Sequence, residues 1–188
     1  MASARMYATR TVSGNQPIVR RLYEAVGQTF LDGTPVELVS GYLEAWDGTT
    51  VARAIAGICR EDAHGLAASG VGAPTTFGSA PPYQPLAKNI SLSQAMTPDG
   101  RNGVEIAAAD SIFHGQVGPS QTVTQANVGV RYGMTKDTDG HWYVDTTKTT
   151  VGTNTVVIVE AIDADYYASP DPRGVFFSFD PSAAQLIG

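Results

Sequence analysis

The chain has 188 residues but a single cysteine, Cys59. One cysteine cannot build an intrachain disulfide framework, so the fold must be stable without one. Cys59 ends the apolar run Ala54–Cys59, which favours a small buried hydrophobic side chain over a reactive thiol. A chain of this size buries about 70% of its unfolded surface in one domain, so it needs neither disulfides nor a metal to fold.

Long hydrophobic runs are also missing. No apolar stretch approaches the ~20 residues of a membrane-spanning helix. The first ten residues, MASARMYATR, lack the apolar segment of a secretory signal. Charged residues make up only 16% of the chain, and the formal net charge of −6 argues against nucleic acid as the main partner. We therefore expect neither a membrane nor a nucleic acid among the partners.

The residues that usually carry catalysis or hold metals are few and scattered. His64, His114 and His141 are far apart and lie in neither HExxH nor HxH spacing. His64 follows two acids, a pattern typical of an ordinary surface. The run Asp137–Gly140 begins like a calcium loop but lacks the later ligands, so it predicts a turn. GxSxG, GxxxxGK[ST] and GxGxxG are absent. The sequence therefore predicts no catalytic residue, no metal and no cofactor.

What the chain has in quantity is strand pattern and turn residues, including 20 glycines and 11 prolines. Apolar residues alternate in Thr34–Val39 and Tyr42–Trp46, on either side of the turn Ser40-Gly41. Similar patterns predict strands over residues 104–107, 111–117, 128–134, 142–144, 155–162 and 174–179. We predict a mainly β fold, a small β-barrel or β-sandwich of short strands, in which residues 155–162 form a central strand.

Two segments depart from this pattern. Residues 1–26 read as an extended N-terminal arm in front of a single β domain over residues 27–188, although residues 16–26 also fit helical spacing. Residues from about 63 to 103 read as a loop insertion. Its first part, Ala63–Pro85, is rich in Gly, Ala, Ser and Pro. Phe77 and Tyr83 either pin this loop to its own domain or contact a partner.

Charge is distributed unevenly along the chain. The first 23 residues carry four arginines and no acid, whereas the segment from Glu160 onward carries five acids and one base, Arg173. Two interpretations stay open. In the first, the charges are scattered over solvated faces. In the second, a basic arm lies on an acidic surface of its own chain or of a neighbour.

Several stretches resemble structural proteins of tailed-bacteriophage heads. The first half of the resemblance consists of Arg20–Phe30, Gly33–Val36, Ala54–Ile58 and Glu61–Ala63. The second half consists of Asp110–Val117, Val128–Met134 and Asp139–Asp145. Together they cover most of residues 20–180. The matching positions are turn glycines and strand apolar residues, and the chain departs from the pattern at Cys59-Arg60.

This resemblance implies a head decoration, or cement, protein, a mainly β protein on the outside of the mature capsid lattice. It implies the major capsid protein and further copies of the chain, as a dimer or trimer, as partners, and the virion surface as the location after synthesis in the host cytoplasm. It also favours an extended conformation for residues 16–26 and supplies no catalytic residue. The candidate contacts to capsid or subunit are Tyr7, Arg10, Arg20, Arg21, Tyr23, Phe77 and Tyr83.

Two other hypotheses remain at this point. The chain could be a different virion module that joins head to tail, builds a tail tube or binds the host. A third and weaker hypothesis is a carbohydrate-active enzyme that uses loop carboxylates such as Asp163 and Asp165, which requires a cleft where acids converge.

Overall fold

The computed structural model describes residues 6–14, 16–25, 27–64, 100–163 and 174–186. Over these ranges the fold is mainly β, as predicted, and one short 3₁₀ turn is found at Gln125–Asn127. No helix in the described ranges is long and apolar enough to cross a membrane. The strands, in chain order, are β1 (Tyr7–Thr11), β2 (Val19–Tyr23), β3 (Pro35–Val39), β4 (Tyr42–Ala45), β5 (Gly57–Cys59), β6 (Arg101–Ile106), β7 (Ser111–Gln116), β8 (Arg131–Lys136), β9 (Trp142–Asp145), β10 (Val157–Ile162) and β11 (Gly174–Phe179).

The strands form two antiparallel sheets arranged as in a β-sandwich. One sheet has six strands in the order β1-β7-β11-β10-β8-β9, and the other has five in the order β2-β6-β5-β3-β4. We predicted either a β-barrel or a β-sandwich. The described strands form two open sheets, as in a β-sandwich, and do not close into a barrel. The predicted central strand over 155–162 is confirmed, because β10 lies between β11 and β8 inside the six-stranded sheet.

The main hydrophobic core lies between the two sheets. Phe113 of β7 and Phe177 of β11 pack with their ring centroids 5.8 Å apart. Ile58 of β5 enters the same cluster from the five-stranded sheet. Trp46, directly after β4, stacks on Trp142 of β9 at 5.1 Å and so joins the last strands of the two sheets. Burying a large apolar side chain stabilises a fold by about 1.5–3 kcal/mol, so this layer is a major source of stability.

A second, smaller core covers the other face of the five-stranded sheet. Cys59 is buried there, as predicted, and burial raises the pKa of its thiol to about 12. Leu22 of β2 and Leu186 near the described C-terminus pack against the same cluster. The buried residues of this second core are Phe30, Val36, Leu43, Cys59, Val104 and Ile106.

The hairpin of β3 and β4 shows how the local pattern becomes structure. Val36 and Leu43 are both fully buried. Ser40 and Gly41 have φ values of 51° and 88°, the left-handed pair that a two-residue hairpin turn requires. The predicted turn at Ser40-Gly41 is therefore confirmed, and so is the hairpin in which Asp137–Gly140 connects β8 to β9.

The described part of the predicted N-terminal arm, residues 6–14 and 16–25, contains two extended strands, and both pair with strands of the β domain. β1 pairs with β7 at one edge of the six-stranded sheet, and β2 pairs with β6 at one edge of the five-stranded sheet. Met6 is only 1% exposed and belongs to the main core. The structure thus places both strands inside the β domain. The physical reason is that the edges of β6 and β7 carry backbone groups that need partners.

Most of the predicted insertion lies outside the described residues. This applies to residues 65–99, which include Phe77, Tyr83 and the strand or short helix predicted over residues 86–96. The predicted end of the insertion at residue 103 falls within a strand, because β6 already begins at Arg101. The turn-rich loop predicted after Asp163 also lies outside, over residues 164–173.

The position of Met6 leads to a test of this arrangement. Met6→Ala should lower the free energy of unfolding by about 2–5 kcal/mol, because it removes a buried side chain and leaves a cavity. Tyr7→Ala is the control; its side chain is 49% exposed, and we expect a loss below about 1 kcal/mol. Urea unfolding followed by fluorescence measures both. Equal effects would show that residue 6 does not belong to the core.

Candidate interaction surface

The two N-terminal strands lie at the same side of the sandwich. β1 and β2 each begin the order of their sheet, and their partners β7 and β6 follow each other in the chain. The carboxylate of Glu105 on β6 accepts a hydrogen bond from the backbone N–H of Ala8 on β1. This contact joins the two sheets at their N-terminal edges. We call the outer side of β1 and β2, over residues 7–23, the N-terminal edge.

Exposed apolar side chains concentrate at the N-terminal edge. Tyr7, Val12, Ile18 and Val19 are 49%, 74%, 47% and 43% exposed. They are four of the seven large hydrophobic side chains that are exposed among the described residues. Single exposed apolar residues are ordinary, but a concentration on one side is typical of a protein contact.

Arginines surround the β2 part of this edge. Arg20, Arg21, Arg60 and Arg101 come from β2, the residue after β5 and the start of β6, and we call them the arginine cluster. Arg21 donates to the backbone oxygen of Arg101 at 3.0 Å and lies 3.7 Å from Glu61.

Two further contacts hold the cluster in place. The Arg60 Nε lies 3.4 Å from Glu105 Oε1, and the Arg101 guanidinium lies 5.1 Å from the ring centroid of Tyr23. The side chains of Arg21 and Arg60 are 55% and 56% exposed. The Arg21–Glu61 pair is exposed on both sides and contributes at most about 1 kcal/mol, so Arg21 can re-pair with a partner at little cost.

Two buried carboxylates anchor the elements behind the arginine cluster. Glu105 is 5% exposed, and burial raises its pKa above the usual 4.5, although the Ala8 N–H and Arg60 act in the opposite direction. Glu24, directly after β2, is fully buried, and burial also raises its pKa while His64 partly offsets this. Buried carboxylates that keep hydrogen-bond partners in this way fix the elements that provide the partners.

Glu24 connects the end of β2 to a residue 40 positions later in the chain. Its carboxylate accepts a hydrogen bond from the backbone N–H of His64 at 2.9 Å. The Nδ1 of His64 lies 3.0 Å from Glu24 Oε2, at ion-pair distance but without hydrogen-bond alignment. The interpretation of His64 as an ordinary surface residue is therefore wrong, because its side chain is only 13% exposed and packs on a buried acid.

Among the described residues, the other polar contacts do not assemble a catalytic triad. His114 Nε2 pairs with Asp163 at 2.9 Å, whereas the hydroxyl of Ser178 donates to Glu160, so the serine and the histidine have different acidic partners. No group of three His, Cys, Asp or Glu side chains within the described ranges could hold a metal ion. The carboxylate of Asp137 accepts hydrogen bonds within its own turn, as the predicted turn requires.

One cleft of about 400 Å³ lies beside Ala45 of β4 and Trp142 of β9. It is lined by the loop Gly27–Leu31, by the turn Asp137–Gly140 and by Trp142. The acids Asp137 and Asp139 face it from a single turn, without an acid from the other wall. The cleft therefore lacks the pair of opposed carboxylates that glycoside hydrolysis requires.

The structure brings together some of the predicted contact residues. Arg20, Arg21 and Tyr23 share β2, and Tyr7 and Arg10 share β1. The ring of Tyr7 faces His114 on the outer side of the six-stranded sheet, with a centroid distance of 5.3 Å, so it does not join the arginine cluster. Phe77 and Tyr83 lie outside the described residues.

Sequence reasoning missed the apolar members of the edge and two of its four arginines. Val12, Ile18 and Val19 lie in the segment predicted as an extended arm and are not among the predicted contacts. Arg60 lies about 40 residues and Arg101 about 80 residues after β2 in the chain, and only the pairing of β2, β6 and β5 brings them to it. No local signal could have found this grouping.

The raised pKa of Glu105 gives a pH dependence with a definite sign. Because the fold favours the protonated form of Glu105, its contribution to the free energy of unfolding is complete below about pH 4.5. This contribution is lost as the pH rises through the raised pKa. Glu105→Gln should therefore remove part of the decline in unfolding free energy above that pH. Glu61→Gln, at a more exposed carboxylate, is the control. Urea unfolding at a series of pH values from 4 to 8 measures the slopes, and an unchanged slope for Glu105→Gln would contradict the assignment.

Comparisons with known proteins identify no relative. No protein-family model matches the chain, and neither a curated protein nor a solved structure matches it.

Proposed function

We propose that the chain is a virion structural protein that binds the outer surface of a mature phage capsid lattice and stabilises it. One observation carries this proposal: exposed apolar side chains and arginines concentrate on the N-terminal edge. Tyr and Arg are the residue types that most often supply the binding energy of protein interfaces. The resemblance of residues 20–180 to head decoration proteins supports the same function.

A rigid β-sandwich suits this role for a physical reason. A cement protein stabilises the mature lattice only by binding it more tightly than the immature one. A surface built on two sheet edges keeps its shape, so it can recognise a spacing in the lattice that exists in one state only. Many copies on one shell then add modest contacts into a large total stabilisation.

The direct test is co-sedimentation of the purified chain with heads of the phage that encodes it. The proposal expects saturable binding to expanded heads and little binding to unexpanded ones. Electron microscopy of the decorated particles gives the position of the bound copies. Copies confined to the tail or to the vertex that carries it would instead support the head–tail joining hypothesis.

Charge reversal at the edge provides a sharper prediction. Arg20 is exposed and has no ion pair with any described residue, so Arg20→Glu should leave the fold intact. We expect it to weaken binding to expanded heads by about tenfold or more, because it places a like charge against an acidic partner surface.

Arg53→Glu is the matched control for this change. Arg53 is also exposed, lies in the loop after β4, away from β2, and gives the same change in net charge. Sedimentation isotherms at two salt concentrations compare the variants, and binding should weaken as salt rises. Equal losses for both variants would show that only the overall charge matters and that the N-terminal edge is not the contact.

A further inference from the structure

The four edge strands of the two sheets differ in how their outward backbone groups are used. At the edge of β4, Leu43 accepts a hydrogen bond from Ala25 N–H at 2.9 Å, and Ala45 N–H donates to the side chain of Gln28 at 3.0 Å. At the edge of β9, Val144 accepts from Gly118 N–H at 3.0 Å. Both of these edges are therefore covered by neighbouring segments.

The edge of β1 is modified in another way. Its register shifts between Ala8 and Arg10, which is a β-bulge. Its outward N–H at Ala8 donates to the carboxylate of Glu105. Bulges and inward-facing charges are known devices that stop an edge from accepting a further strand. β1 is thus closed to strand addition.

β2 stays open over its first part only, because β4 bridges Glu24 directly after the end of β2. The backbone C=O of Ile18 accepts a hydrogen bond from Ile106 N–H, and the backbone N–H of Glu24 donates to the C=O of Gly100, each at 2.9 Å. In an antiparallel pair these groups alternate, so the even-numbered residues from 18 to 24 face β6 and the odd-numbered residues face away. The outward N–H and C=O groups of Val19 and Arg21 have no hydrogen-bond partner in the ranges that the structure describes.

This open stretch is held rigidly. β6 pairs with all five residues of β2, from Val19 to Tyr23. At its end, Glu24 is fully buried and forms a bridge with Leu43 of β4. An edge ordered in advance loses little conformational entropy when another strand pairs with it. The open groups of Val19 and Arg21 are therefore ready to form backbone hydrogen bonds.

The charges at the open edge decide what kind of strand fits. Arg20 and Arg21 are neighbours in a strand, so their side chains lie on opposite faces of the sheet. If a second copy paired its own β2 around this point, arginines of the two copies would meet, and like charges opposite each other destabilise a pair of strands. The edge keeps a positive charge at Arg20, which has no ion pair with a described residue, whereas Arg21 and Arg60 lie at ion-pair distance from Glu61 and Glu105. It therefore favours an acidic strand.

We propose that the β2 edge at Val19–Arg21 binds an extended acidic segment of the capsid protein, which adds to the five-stranded sheet as a sixth strand. This inference rests on the proposed function and specifies its contact. Backbone hydrogen bonds to Val19 and Arg21 provide affinity, as in other cases of strand addition. Carboxylates on both faces of the added strand pair with Arg20 and Arg21, and an apolar residue of the partner covers the exposed Val19.

Hydrogen–deuterium exchange on the bound protein tests strand addition directly. In the isolated chain the outward amides of Val19 and Arg21 should exchange fast. On expanded heads they should slow by about tenfold or more, because they become donors in a new ladder. The amide of Ala45, already bonded to Gln28, is the internal control and should not change. Mass spectrometry with residue-level fragmentation reads all three amides.

The outcomes separate this inference from the function on which it rests. If the chain binds expanded heads while Val19 and Arg21 still exchange fast, strand addition is wrong and the capsid-binding function stands. Contact would then be made by side chains alone. If the chain does not bind heads at all, the proposed function is wrong and the inference falls with it.

A pair of substitutions at one residue gives a second test. Arg21→Ala removes only the side chain, whereas Arg21→Pro also removes the outward N–H. Proline is tolerated on edge strands at such positions, since the N–H does not take part in the existing ladder. We expect Arg21→Pro to bind expanded heads at least about fivefold more weakly than Arg21→Ala. Equal binding by two folded variants would overturn the inference. If Arg21→Pro does not fold, as judged by circular dichroism, the exchange experiment decides.

Discussion

One contact on which the N-terminal edge depends is the hydrogen bond from Ala8 N–H to the carboxylate of Glu105. It links β1 of one sheet to β6 of the other, and it satisfies a backbone donor that would otherwise be open at the sheet edge. Because Glu105 is almost fully buried, this link also has an electrostatic cost, which Arg60 offsets at 3.4 Å. The Glu105 carboxylate thus pairs with an outward N–H at the β1 edge and also holds Arg60 beside the β2 edge.

The general constraint behind this arrangement is that backbone polar groups at sheet edges need partners. At β4 and β9, neighbouring segments and the side-chain amide of Gln28 supply these partners. At β1, the buried acid Glu105 supplies one partner and a bulge interrupts the edge. The stretch Val19–Arg21 of β2 is different, and it is also where arginines and exposed apolar residues gather. Stability and the proposed binding therefore depend on the same kind of group, the outward N–H and C=O of an edge strand. Those of Val19 and Arg21 have no partner among the described residues.

Much of the fold could be predicted from local pattern. The turn at Ser40-Gly41, the hairpin of β8 and β9 and the burial of Cys59 all follow from spacing and turn chemistry within a few residues. The candidate surface could be predicted only in part. Arg20, Arg21 and Tyr23 were identified as basic and aromatic residues of the predicted arm, whereas Arg60 and Arg101 join them through strand pairing across about 40 and about 80 residues. The partnership of Glu24 with His64 was missed for the same reason.

The sequence by itself determined the class of fold, since alternating apolar residues and turn glycines permit short antiparallel strands and little else. It also placed two arginines within residues 19–23, although the spacing of residues 16–26 fits a helix as well as an extended segment. Only the tertiary structure decided that β2 lies at an edge and that the outward backbone groups of Val19 and Arg21 have no partner within the described ranges. The physical reason is that a strand's own residues specify which side chains face the core, but the neighbour on each side is chosen by long-range pairing.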